Sequence, residues 1–116
     1  MNEFLLVFRR DLNTPTPHPS AEQYQVHAKK WQDWIGGLAA QNILAGAGKR
    51  MATEGKVVRN DKTVTNGPYV EIKESIAGYM FVNAKDIDDA AEIGKGCPII
   101  EMGGNVEVRP IVAESY

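Results

Sequence analysis

An α+β fold with the order β-α-β-hairpin-β-α-β is predicted for this 116-residue chain, and three observations predict it. The first strand candidate, Glu3 to Arg9 (EFLLVFR), is apolar on both faces: Phe4, Leu6 and Phe8 share one side, and Leu5, Val7 and Arg9 share the other. Apolar residues then recur at helical spacing in two separate segments, each opened by a capping residue. Short β-branched runs, punctuated by Gly, Asn and Pro, lie between and after those segments.

The elements follow in chain order. Asp11 to Ser20 (DLNTPTPHPS) carries Pro15, Pro17 and Pro19, which exclude helix and central strand, so a stiff loop of about ten residues is expected, long enough for a rim or lid. Ser20 with Gln23 forms a capping-box pattern that starts a helix. Tyr24, Ala28, Trp31, Ile35 and Leu38 recur at steps of 4, 3, 4 and 3 and are expected to line its buried stripe. Gly36 and Gly37 weaken the last turns, and the end is expected between Leu38 and Gln41. Asn42 to Met51 (NILAGAGKRM) reads as a second strand interrupted by glycines. Lys56 to Thr65 (KVVRNDKTVT) reads as a hairpin turning at Asn60-Asp61, a pair that tolerates positive φ.

Asn66-Gly67-Pro68-Tyr69 is a turn signal leading to Glu71, Lys73 and Glu74, and then to the strand Gly78 to Ala84. Asp86 caps a second helix, with Asp88 and Asp89 at its positive end and a small-residue stripe of Ile87, Ala90, Ala91 and Gly94. Gly94, Gly96 and Pro98 end it. The last strand, Asn105 to Val112 (NVEVRPIV), sets Val106 and Val108 against Glu107 and Arg109, and Pro110 places it at an edge or at the end of pairing. This order matches the ferredoxin-like βαββαβ unit with an inserted β-hairpin, and the whole chain, 1–116, is expected to form one domain.

Composition narrows the function classes. The chain is 43% hydrophobic and 24% charged with a net charge of -2, ordinary for a soluble protein. It has no basic stripe, so nucleic-acid binding has little support, and no apolar run approaches the length of a membrane span. Cys97 is the only cysteine, which excludes an intrachain disulfide and fits the cytoplasm. The N-terminal apolar run is too short for a signal peptide and follows Glu3 rather than a basic region.

Two helices cover only one face of a four-stranded sheet. The other face carries Leu5, Val7 and some of Tyr79, Phe81 and Ile111, so burial against a second copy about a two-fold axis is expected.

The segment Thr65 to Ile100 and the later GGNVEVRPI resemble the YCII-related family, in particular its branch named for an Asp-Gly-Pro-Phe motif. The residues that carry the resemblance are Lys73-Glu74, Gly78-Tyr79, Cys97-Pro98 and Glu107-Val108-Arg109-Pro110. The turn reads Asn66-Gly67-Pro68-Tyr69 and departs from the motif at two of its four positions. The resemblance implies a dimeric α/β-barrel, in which two ferredoxin-like sheets face each other. Relatives of that fold include cofactor-free isomerases, lyases and monooxygenases acting on small aromatic or lactone compounds. Relatives in this branch are also linked with alternative sigma factors, which implies a transcription-factor partner. Activity inferred from fold remains analogy.

His27 is the leading candidate for chemistry, because a near-neutral imidazole suits general acid or base work. YCII-type proteins place a candidate catalytic His on the first helix. The plain alternative is a boundary histidine beside Tyr24 and Trp31. Tyr24, Trp31 and Trp34 are candidate pocket walls, with Trp34 one position off the stripe. Arg9 and Arg109 share the face opposite the helices and are candidates to grip an anionic substrate; the alternative is a salt-bridge network with Glu107 that fixes dimer register. His27 belongs to the helix side, so it forms no catalytic pair with Arg109. Cys97 follows a helix C-terminus, the wrong end for an activated thiol. His18 and His27 lack metal-ligand spacing, and Gly46 to Arg50 (GAGKR) lacks the phosphate-loop pattern. No cofactor is expected. Two function classes result: a cofactor-free enzyme doing acid/base chemistry on a small cyclic or aromatic metabolite, or a non-catalytic ligand-binding or regulatory dimer associated with transcription.

Overall fold

A computed structural model describes residues 2–10, 20–52, 54–67 and 75–114. The elements are β1 (Asn2–Arg10), α1 (Ala21–Ala40), β2 (Leu44–Gly46), β3 (Gly55–Val58), β4 (Val64–Gly67), β5 (Ser75–Ala84), α2 (Ile87–Lys95) and β6 (Asn105–Pro110), with a 3₁₀ helix, Pro98–Met102, before β6. Four strands form one antiparallel sheet in the order β2-β5-β1-β6, while β3 and β4 make a separate two-stranded ribbon. This is the ferredoxin-like arrangement with a hairpin inserted between β2 and β5.

The pleat of β1 and β5 organises the core. Phe4, Leu6 and Phe8 on β1 and Met80, Val82 and Ala84 on β5 are buried beneath the helices with Leu38, Ala90, Cys97 and Ile99. Cross-strand pairing keeps the faces apart: Leu6 lies opposite Met80 and Val108, whereas Leu5 lies opposite Phe81 and Arg109. α2 approaches closely because it presents small residues; a Cβ on Gly94 would stand 3.3 Å from Val106 Cγ1. No helix among the described residues is long and apolar enough to cross a membrane.

Local capping matches the chemistry of the sequence. Ser20 Oγ accepts from Gln23 N at 3.1 Å, and Gln23 Oε1 accepts from Ser20 N at 2.8 Å. Asp86 Oδ1 accepts from Asp89 N at 2.8 Å and opens α2. α1 ends at Ala40 with Gln41 as its cap.

Several expectations need correction. The buried arc of α1 is carried by His27, Trp31, Trp34, Ile35 and Leu38, while Tyr24 is 62% exposed and Ala28 is exposed as well. The helix is rolled so that both indoles meet Phe8, which removes more apolar area from water than Tyr24 and Ala28 would. Trp34 therefore lies on the packed stripe, and His27 lies on it too. On α2, Ile87 is exposed and only Ala90 and Gly94 are buried.

The second strand is limited to Leu44–Gly46, with one further bridge from Arg50 to Gly78. Beyond Gly46 the chain stays against β5, with Tyr79 N donating to Lys49 O and Met51 N to Ala77 O, and Gly48 lies so close that a Cβ there would overlap the Tyr79 carbonyl. In the hairpin the left-handed residue is Lys62 (φ 71), not Asn60 or Asp61. The turn still centres on Asn60-Asp61, where Lys62 N donates to Arg59 O at 2.9 Å, and Asp61 Oδ1 accepts from Thr63 N and Oγ1 at 3.0 and 2.6 Å. β5 begins at Ser75, three residues earlier than expected, with a bulge opposite Phe8 and Arg9. The proline-rich loop 11–19, with His18, and residues 68–74 lie outside the described residues.

Candidate functional site

Two groups of candidate residues emerge, one on each side of the sheet. The first is built on α1. Phe8 of β1 packs edge-on against Trp31 and Trp34, with ring centroids 5.1 and 6.1 Å away, and the two indoles meet at 5.9 Å. Trp34 also closes against the end of α2, where a Cβ on Gly96 would stand 3.0 Å from its Nε1. That contact makes Trp34 part of the helix-to-helix packing.

His27, one turn before Trp31 on the same arc, is half-buried. Trp31 Nε1 donates to His27 Nε2 at 2.8 Å, and the rings stand nearly perpendicular. The imidazole is thereby anchored through the indole to the core rather than left to rotate. Beside it, Lys30 Nζ meets Glu101 Oε2 at 2.7 Å and ties α1 to the 3₁₀ helix. The Lys30 hydrogen bond, then the Lys30 charge and then His27 hold the Glu101 carboxyl below the usual carboxylate range. His27 lines a shallow surface depression of about 470 Å³ together with Ser20, Glu22, Gln23, Val26 and Lys30. Tyr24 lies outside that lining and is exposed.

The second group lies on the opposite face. Glu107 Oε1 accepts from Arg9 at 3.2 Å (Nη2) and 3.3 Å (Nε), and Glu107 Oε2 accepts from Arg109 Nη1 at 3.3 Å. Hydrogen bonding from Arg109 is the main influence holding the Glu107 carboxyl low, with Arg9 adding to it. Leu5 and Val7 lie opposite Arg109 and Glu107 on β6, and opposite Phe81 and Tyr79 on β5, whose rings are 5.9 Å apart. The structure thus brings Arg9 and Arg109 together on one carboxylate and brings His27 and Trp31 together on another face. It does not bring the two groups together, because the sheet lies between them.

Lys30 and Glu101 were not singled out from the sequence. Lys30 stands beside Lys29 in the sequence with nothing local to mark it, and Glu101 sits on a 3₁₀ helix that no periodicity announces. Cys97 is 2% exposed, and burial pushes its thiol up to about 12, so it is an inert core residue. Among the described residues, no group of three or more His, Cys, Asp or Glu is placed to hold a metal ion.

Comparison with protein families matches residues 12–115 to the model of the YCII-related domain. A search of curated proteins gives no match.

Proposed function

The chain belongs to the YCII-related family, and on that premise we propose that it is a cofactor-free enzyme acting on a small metabolite, with His27 as its proton-handling group. The observation that carries this reading is the His27 environment: an anchored, half-buried imidazole on the wall of a depression, next to an ammonium and a carboxylate. Such a group can polarise a carbonyl or exchange a proton with carbon or oxygen. Lys30 beside it favours a ligand that carries negative charge or develops it during reaction.

A thermal-shift screen of small carbonyl and carboxylate metabolites tests the proposal, since a compound that binds the folded state alone raises the melting temperature. A stabilising compound is then followed for turnover by NMR. His27→Gln is expected to abolish turnover with the circular dichroism spectrum unchanged. Turnover that survives the substitution, or a screen with no stabilising compound, removes the enzyme reading.

The open face of the sheet favours one addition. On the face away from the helices Leu5, Tyr79 and Phe81 are only half-buried in the single chain, while Val7 between them is buried, and a partly covered apolar surface of this kind suits a homodimer. In such a dimer the Arg9–Glu107–Arg109 group becomes an interface network or an anion-binding element. Stabilisation by a carboxylate without turnover would favour a ligand-binding dimer over an enzyme.

A further inference from the structure

We propose that Trp31 is a positioning residue that fixes the neutral His27 ring as its Nδ1–H tautomer, so that the site presents a hydrogen-bond donor in its resting state. An indole nitrogen only donates. A nitrogen 2.8 Å from it must therefore be the lone-pair nitrogen of the imidazole, and that nitrogen is Nε2. The ring proton then resides on Nδ1, which has no hydrogen-bond partner among the described residues and is the nitrogen left for a ligand.

The Trp31 ring is itself held from the core side by Phe8 and Trp34, so the constraint on His27 is rigid and not a chance surface contact. Resting on the reading of His27 as the functional group, this assigns the ligand a carbonyl or carboxylate oxygen facing Nδ1. His27 stabilises charge on that oxygen by hydrogen bonding. Use of Nε2 as a base first requires the Trp31 bond to break.

The test needs no substrate. In ¹⁵N-labelled protein at a pH where the ring is neutral, long-range ¹H–¹⁵N correlations through the imidazole carbon protons show which nitrogen carries hydrogen. His18→Gln assigns the His27 signals. Wild type is expected to show Nδ1 protonated. Trp31→Phe keeps an aromatic ring but removes the donor, and the proton is expected to return to Nε2, the tautomer that unconstrained histidine prefers. Trp34→Phe, which removes an indole that does not touch Nε2, is expected to leave the wild-type pattern. A wild-type proton on Nε2 overturns the proposal even if Trp31→Phe fails to fold, and so does a Trp31→Phe spectrum with Nδ1 still protonated. Either result leaves the enzyme reading in place, whereas an empty metabolite screen removes that reading and leaves the tautomer as measured.

Discussion

Leu5 and Leu6 are adjacent in sequence yet do different work. Leu6 is wholly buried under the helices, while Leu5 is only partly covered on the open face. Leu6→Ala is expected to cost about 2–5 kcal/mol in chemical denaturation, because a cavity is left in packed surroundings. Leu5→Ala is expected to cost clearly less, and equal losses would place both residues in one core. Glu107 supplies a test in pH. Its carboxyl is held low by Arg109 and Arg9, so its contribution to stability is present above the ordinary carboxylate pKa of about 4 and is lost as pH falls through the lower folded value. Its side chain is 37% exposed, so solvent screens the pair and the contribution is small. The stability gap between wild type and Glu107→Gln is expected to narrow in urea titrations as pH is lowered past about 4; a gap constant with pH would deny the pairing. At this scale the sequence was informative about which residues share a strand face. It was silent about Lys30, Glu101 and the Trp31–His27 bond, because those depend on distances between elements.

The elements were legible wherever a local rule governs them. Ser20 and Gln23 cap α1 through reciprocal hydrogen bonds that the sequence pattern alone announces, and Asp86 caps α2 in the same local way. Ser20→Ala is expected to destabilise the protein by about 1 kcal/mol, read from the denaturation midpoint. A neutral substitution would mean that the first turn of α1 is held by other contacts. Elements bound by non-local contacts were read less well. The glycines within residues 42–51 announce an interrupted strand, and the structure has a register shift between Leu44 and Gly46 and a close approach of Gly48 to the β5 backbone, but where regular pairing stops depends on β5 itself. The roll of α1 has the same origin. Tyr24, Ala28 and Trp31 form as good a helical stripe as His27, Trp31 and Trp34, and only Phe8 beneath the helix selects between them.

For the molecule as a whole, the homodimer proposed above makes a specific prediction. Wild type is expected to sediment as a dimer, and Phe81→Asp, which places a charge on the open face, is expected to sediment as a monomer with its circular dichroism spectrum retained. A wild-type monomer at micromolar concentration would leave that face as a surface for something else. The sequence by itself determined the order of elements, their caps, the two-faced character of β1 and the family. The first three follow from periodicity or from residues within a few positions of one another, and the family from the resemblance of its motifs. Only the tertiary structure decided which arc of α1 is buried, that His27 hangs from Trp31 beside the Lys30–Glu101 pair, and that Arg9 and Arg109 share Glu107 across the sheet from it. Those facts depend on close packing between elements far apart in the chain, where side-chain volumes and cross-strand register choose among helix orientations that the local pattern leaves equivalent.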